Sequence, residues 1–464
     1  MRSRQVSRRW FVRQGSASWV TVCAGPTLCR RAGAAERPIT DANAMAFLRD
    51  IAATTIESAR VRPGQKRGGQ GPNTTGITLI TPGGNYPALW VRDLAMSLEC
   101  GLIGPDEILP QLRLIARCQN GAEERRLKSG AIVPPFSIPD HISLAGGAVF
   151  YPGTYSSGED QGADPWGPLP PVDDHYYFIH IAWSLWRATR DGAFLPESIN
   201  DMPLFDRLRQ AFAAPRVDPA TGAVIATSTR RAVGFGFQDT VHLLGSMSFA
   251  TLLRWQAANE LAELCTAARA PELSEQYRVT AKQIATHLVP VFCNLGAFGG
   301  WLGAATEVSK EPDVWATLYA LHLGVLPADA ARRARQTVVD AVKGDKAHNI
   351  EYQGAVRHVP VDRDFSQKTA WERCVASHNT YQNGAYWHVP TGWLIQALHA
   401  VDPELSQQVL GRFIQHLRDN DFRKGGGRGA PWECFGLDSK GAQNPVYMAS
   451  VAVPLGVLQR INRP

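Results

Sequence analysis

The stretch TGWLIQALHAVDPELSQQVLGRFIQHLR, Thr391–Arg418, decides the fold class. Apolar residues recur at helical spacing over Thr391–Ala400 and again over Glu404–Arg418. Only Val401, Asp402 and Pro403 separate the two runs. That break is too short for anything but a tight turn, so the helices double back as an antiparallel hairpin. The connection before them is of another kind: Ile350–Pro390 is long, polar and aromatic, with no helical period.

The same alternation runs through the chain. Helical patterns cover Ala42–Arg60 (with Asp41 as N-cap), Asp93–Cys118 broken at Gly104-Pro105, Asp174–Thr189, Thr240–Ala268 and Glu272–Val289. Asp313–Leu323, Ala328–Val342 and Pro445–Ile461 complete a set of about ten to twelve helices, hence five or six hairpins. Strand-like alternation is scarce, and is best over Gly76–Ile80 and Ala223–Thr227. Arg62–Trp90, Asn120–Asp173, Ile350–Pro390 and Asp421–Asn444 are long loops, and loops of this length without helix carry function. With helices alternating up and down around a ring, all of them fall at one end. No linker-like composition divides the chain after residue 40, so one all-α domain over residues 35–464 is expected.

Composition narrows the function. The 464 residues are 44% hydrophobic and 19% charged, globular values that exclude wholesale disorder. No apolar run reaches the ~18 residues of a membrane-spanning helix. The formal charge of +6 is unevenly placed: residues 1–34 contain seven arginines, no lysine and no acid, and the remainder carries −1. A nucleic-acid partner held by a general positive field therefore loses its support. Ser7-Arg8-Arg9-Trp10-Phe11-Val12-Arg13 resembles a twin-arginine export signal, followed by an apolar stretch, Ala17–Leu28, and an A-x-A cleavage site at Ala32-Gly33-Ala34. The resemblance implies a signal peptide over 1–34, a mature chain starting near Ala35 that is periplasmic or extracellular, and no membrane partner once the signal is removed. Cys100, Cys118, Cys265, Cys293, Cys374 and Cys434 are scattered without zinc spacing, and thiols and disulfides both stay open.

Five loop-to-helix junctions concentrate acids and aromatics. In Tyr86-Pro87-Ala88-Leu89-Trp90-Val91-Arg92-Asp93, the Arg92-Asp93 pair can bind vicinal hydroxyls while the Trp90 indole covers an apolar sugar face. In Val172-Asp173-Asp174-His175, Asp173 reads as an N-cap, and Asp174 in the first turn points into the loop end. In Gly234-Phe235-Gly236-Phe237-Gln238-Asp239-Thr240, the glycines let backbone approach a ligand, and the phenylalanines can desolvate Asp239 and raise its pKa, as a general acid requires. Tyr381-Gln382-Asn383-Gly384-Ala385-Tyr386-Trp387 offers amides and aromatics to a polyhydroxylated ligand. In Trp432-Glu433-Cys434-Phe435, Glu433 sits among aromatics in a Gly-rich loop as a water-activating carboxylate. Glu307 and Asp313 form a weaker sixth group. There is no GxGxxG, phosphate loop, H-E-x-x-H or G-x-S-x-G, so neither cofactor nor metal is expected.

Taken in order, these motifs resemble the six-hairpin, (α/α)6-toroid glycosidases, which include trehalases, glucoamylases, processing α-glucosidases and neutral invertases. The resemblance rests on Trp90, Arg92 and Asp93; Val172, Asp173 and Asp174; Asp239; Gln382, Asn383, Gly384 and Trp387; and Trp432, Glu433, Phe435 and Gly441. It implies an inverting hydrolase of a disaccharide or oligosaccharide, with Asp239 as general acid, Glu433 as general base and Arg92, Asp93 and Asp174 holding the sugar. Asp174 stands as a rival acid. Two other readings compete. A lyase on the same toroid would use His378, Tyr381 and Tyr386, with Arg357, His358, Arg373, Arg423, Lys424 and Arg428 neutralising a uronate. A carbohydrate-binding protein would keep the toroid without turnover.

Overall fold

A computed structural model describes residues 42–162, 167–293, 299–344, 349–360 and 369–462. The export signal read over 1–34 and the N-cap Asp41 lie outside them. Twelve α-helices are found among the described residues. The first six are α1 (Ala42–Ala59), α2 (Val91–Ser97), α3 (Pro105–Cys118), α4 (Asp173–Thr189), α5 (Leu204–Ala213) and α6 (Ser248–Ala267). The second six are α7 (Pro271–Phe292), α8 (Val314–Leu323), α9 (Ala328–Lys343), α10 (Thr391–His399), α11 (Pro403–Asp419) and α12 (Ala449–Ile461).

A helix that is apolar on every side has to be surrounded on every side. All seven residues of α2 and nine of the ten in α8 are buried. The even-numbered helices achieve this by closing a ring: α2 packs on α4, α4 on α6, α6 on α8, α8 on α10, α10 on α12, and α12 back on α2. The odd-numbered helices are amphipathic and cover the ring from outside. In α9, for example, Ala330, Ala334, Val338 and Val339 face inward while Arg332, Arg333 and Asp340 face water. The result is an (α/α)6 toroid within the compact unit Ile39–Pro464.

Connections from an inner helix to the next outer one are mostly short, as at Ala268–Ala270, Gly324–Pro327 and Ala400–Asp402. Those from an outer to an inner helix, over 60–90, 119–172, 214–247, 293–313, 344–390 and 420–448, are long. Every long loop therefore enters the N-terminus of an inner helix, and all six gather at one end. Short antiparallel strand pairs brace them, among them Ala88–Trp90 with His141–Ser143 and Trp432–Cys434 with Gln443–Pro445.

Three expectations change. The helix expected over Thr240–Ala268 starts only at Ser248, because Val241, Leu244, Gly245 and Met247 are extended and bridge to neighbouring loops. Apolar spacing alone does not distinguish that segment from helix. The last helix starts at Ala449 rather than Pro445, since Gln443–Pro445 is a strand. Finally, α5 is additional to the expected set. The six cysteines among the described residues are free thiols, and no helix among those residues is long and apolar enough to cross a membrane.

Closing the ring demands small residues at two contacts. A Cβ on Gly392 of α10 would lie 2.8 Å from Val457 Cβ of α12, and one on Gly456 of α12 would lie 2.9 Å from backbone at Glu99. Overpacking a tight contact costs about 1–3 kcal/mol. Gly456→Val should therefore lower the unfolding free energy by about that much. Gly411→Ala, with open space around it in α11, should raise it by about 0.4–1 kcal/mol. Denaturant titration of both variants checks the pair.

Candidate active site

The first side chain that the fold positions at this end is also the most confined. Arg92, in the first turn of α2, is buried under the loops and faces three carboxylates. Its Nε donates to Asp173 Oδ2 at 2.9 Å, and its Nη2 donates to Asp140 Oδ1 at 2.7 Å and to Asp174 Oδ2 at 2.6 Å. Asp173 also accepts the backbone N–H of Gly236 at 2.9 Å, which pins the third loop to the same point. Position 236 must be glycine, because any Cβ there would collide with the Arg92 guanidinium. Burial pushes Asp140 upward, but Arg92 and His141 outweigh it and hold its carboxyl below the usual range. Asp174 goes the other way: burial raises it well above the usual range, Arg92 offsets part of this, and the nearby aspartates add to the rise.

Above this cluster opens a pocket of about 230 Å³, whose walls include Tyr86, Trp90, Asp93, Tyr155, Asp239, Tyr381, Glu433 and Tyr447. Trp90 is backed by His141, stacked at 4.3 Å and 19°, and His141 is in turn held by Asp140 at 2.6 Å. Glu433 projects from the strand Trp432–Cys434, between two residues directed to the opposite side as a strand requires. Its carboxylate accepts from Tyr86 Oη at 2.8 Å, Tyr381 Oη at 3.4 Å and Asn444 Nδ2. Asp239 follows the 3-10 turn Gly236–Gln238 and accepts from Gln382 Nε2 at 2.5 Å. Asp93 accepts from Tyr447 Oη.

All three pocket carboxyls are raised to about 7. Burial is the main cause in each. Their hydrogen-bond donors are neutral amides and phenols that only partly oppose it. Asp93 and Asp239 also push Glu433 upward by like charge. At neutral pH the pocket thus contains both protonated and ionised carboxyls, as a general acid and base need.

Of the residues singled out by sequence, Trp90, Arg92, Asp93, Asp239 and Glu433 line one pocket. Tyr86, Gly236, Phe237 and Tyr381 of the same motifs line it too, while the remaining candidates stand behind it. Asp174 is wholly buried beside Arg92, and its second oxygen has no hydrogen-bond partner among the described residues. Asp173 is not the N-cap of α4, which is Val172, and its carboxylate serves Arg92 instead. Gln382 holds Asp239 and also accepts from the Thr240 backbone N–H at 2.8 Å. Asn383 ties its own loop, bonding Ala370 N at 2.7 Å and Ala376 O at 2.8 Å. Trp387 is fully buried against Phe237, Trp315 and Tyr381. Trp432 packs toward His416 and Phe435. Asp313 caps α8 through Ala316 N at 2.8 Å and accepts from Gln238 at 2.8 Å. Asp140, His141, Tyr155, Asn444 and Tyr447 escaped sequence reasoning. Asp140-His141 lies in a long loop with no local pattern to mark it; Asn444 lies within, and Tyr447 just after, the strand Gln443–Pro445, where the sequence reads as the start of a helix.

Among the described residues no group of three His, Cys, Asp or Glu side chains is arranged to hold a metal ion. No protein-family model and no curated protein sequence matches the chain. Solved structures do match its fold. A glucoamylase from Saccharomycopsis fibuligera aligns with TM-score 0.54 at 11% identity, over 91% of this chain and 96% of that one. A GH63 mannosylglycerate hydrolase from Thermus thermophilus, solved with glucose, gives 0.52 at 14% identity, over 88% and 99%. A rhamnosidase from Klebsiella oxytoca with rhamnose bound gives 0.52 at 14%, over 92% of this chain and 66% of that one. At such identities the likeness establishes a common (α/α)6 toroid.

The raised carboxyls have a consequence for stability. Folding moves Asp239 and Glu433 from ordinary values of 3.8 and 4.5 to about 7. Between those limits the folded chain retains protons that the unfolded chain has released. Their contribution to stability therefore falls as pH rises through this window and levels off above it. Asp239→Asn and Glu433→Gln should melt at the wild-type temperature at pH 4 and several degrees above it at pH 8. Calorimetry at both pH values checks this, and variants less stable than wild type at pH 8 would contradict it.

Proposed function

We propose that this chain is a glycoside hydrolase that cleaves a neutral disaccharide or oligosaccharide with inversion. The observation that carries the reading is the pairing, in one aromatic-walled pocket, of Asp239 and Glu433, each with a pKa of about 7. The shared toroid with a glucoamylase, a mannosylglycerate hydrolase and a rhamnosidase supports it. Asp239 protonates the glycosidic oxygen as the bond to the anomeric carbon breaks. Glu433 takes a proton from a water whose oxygen attacks that carbon from the opposite face. Asp239 ends ionised and Glu433 protonated, and exchange with solvent restores both. Trp90 covers an apolar face of the sugar, and Asp93 accepts from its hydroxyls. Arg92 serves the sugar through the walls it holds, since its guanidinium is committed to three aspartates. Gln382 orients Asp239.

The lyase reading has less support. Arg92 is the pocket's cation among the described residues. Arg423 pairs with Asp421 and Asp50, Lys424 and Arg428 bond backbone carbonyls, and Arg373 is exposed away from the pocket lining. Arg357 and His358 are buried against Tyr386 and Trp315. A uronate carboxylate would meet acids instead of bases.

Purified mature protein incubated with a panel of disaccharides and oligosaccharides should release reducing sugar, with NMR detecting the inverted anomer first and the rate highest near pH 7. Asp239→Asn and Glu433→Gln should each lower kcat about 10²–10⁴-fold with KM little changed. Near-wild-type turnover by either would remove its role, and ultraviolet-absorbing unsaturated products would establish the lyase. Binding across the panel without cleavage would establish a carbohydrate-binding protein. We further propose that the chain is exported through its twin-arginine leader. Cell fractionation with N-terminal sequencing should find the mature chain outside the cytoplasm, beginning near Ala35, and losing Arg8 and Arg9 to Lys should retain it inside.

A further inference from the structure

Three of the donors that hold the pocket acids hang on one crossing of the chain. Tyr86 and Asn444 donate to Glu433, and Tyr447 donates to Asp93. Tyr86 belongs to the loop over 60–90, and the other two belong to the loop over 420–448. The two loops meet where Gly83-Gly84 lies against Pro445-Val446. A Cβ on Gly83 would collide with the Val446 carbonyl, and one on Gly84 with the Pro445 carbonyl. Met448 N donates to Pro82 O at 2.7 Å, and Tyr86 N donates to Gly83 O at 3.1 Å. The contact thus reaches into both donor segments.

The backbone at this crossing is strained. Val446 has φ +61°, in the left-handed region. Asn444, at φ +45°, is of a type that visits that region, but a β-branched residue there is an outlier. Packing of the valine side chain does not explain it, since the residue is only half-buried. Backbone hydrogen bonds fix the conformation instead: Val446 N donates to Gly429 O at 3.0 Å, and Tyr447 N to Pro431 O at 2.8 Å. A residue strained in this way persists only where its surroundings over-determine it, and such places cluster at functional sites. The left-handed turn lies between Asn444 and Tyr447, so it sets how those two side chains are placed relative to one another.

We infer that Val446, through its left-handed backbone, is a positioning residue that seats Tyr86, Asn444 and Tyr447 on the carboxyls of Glu433 and Asp93. Its effect on turnover rests on the glycoside hydrolase reading; its effect on the carboxyls does not. Asn444 and Tyr86 pull the Glu433 carboxyl down against burial, more strongly than the like charges of Asp93 and Asp239 push it up. Asp239 and Tyr381, which also bear on Glu433, belong to other loops and stay in place. Loosening the crossing therefore raises Glu433, and any change at Asp93 is the smaller effect.

The test is an isotope-edited NMR titration of the Glu433 carboxyl in the whole chain, assigned with Glu433→Gln. Val446→Pro cannot adopt a positive φ and lacks the N–H given to Gly429. Gly83→Ala forces the crossing apart from the other loop. Each should raise the Glu433 midpoint by about one unit, and so lower kcat/KM at pH 6 about tenfold. Val446→Asn, which tolerates the left-handed region, should keep the wild-type midpoint. If the proline variant does not fold, Gly83→Ala decides. A merely structural role would lower the melting temperature of the disrupting variants and leave the midpoint unmoved, and that result overturns the inference. A shift in Val446→Asn as large as in Val446→Pro overturns it too. Wild type that cleaves no glycoside overturns the hydrolase reading instead, and the titration still decides the role of Val446.

Discussion

One buried cation organises the loop end of this toroid. Arg92 joins α2 to the 119–172 loop through Asp140 and to α4 through Asp173 and Asp174, and Asp173 reaches on to the backbone of Gly236. A buried guanidinium is tolerated only when paired, and losing one partner of such a pair costs about 3–5 kcal/mol. Here three acids surround one base, so the cluster cannot be fully ionised on both sides. The excess is relieved at Asp174, which burial drives well above the usual carboxylate range. The cluster therefore fixes where α2, α4 and two loops meet before any ligand binds.

The pocket above inherits its chemistry from that commitment. With Arg92 occupied, Asp93, Asp239 and Glu433 have neutral donors: Tyr447, Gln382, and the set of Tyr86, Tyr381 and Asn444. Neutral donors orient a carboxylate without depressing its pKa as far as an adjacent guanidinium would. Burial then dominates, and three carboxyls come to rest near neutrality. A guanidinium bonded to any of them would pull against that rise, as Arg92 does at Asp140 and, in part, at Asp174.

Much of the architecture was legible in the chain. Short connections such as Ala400–Asp402 leave helices no course but to double back, and long aromatic loops cannot be buried among them. Alternating the two gives a ring with its loops at one end. The segment before α6 is extended where a helix is expected, because Val241, Leu244 and Met247 carry apolar spacing that suits either state, and bridges to other loops select the extended one. Five of the ten residues proposed for the site line the pocket; Gln382 touches it through Asp239, Asp174 is held behind it by Arg92, Asn383 ties its own loop by hydrogen bonds, and Trp387 and Trp432 are packing.

Local sequence thus dictates which segments are helices, which are loops and which acids stand at the junctions, because propensity, spacing and turn chemistry act over a few residues. It does not dictate which of those acids meet. Asp93, Asp239 and Glu433 are remote in sequence, and Tyr447 and Asn444 join them from the far end of the chain. Their pKa values and partners arise only when the ring closes, because desolvation and hydrogen bonding depend on what surrounds a group in space. The same holds for Gly236. Its sequence context suggests room for a ligand, and the folded chain uses that room for Arg92.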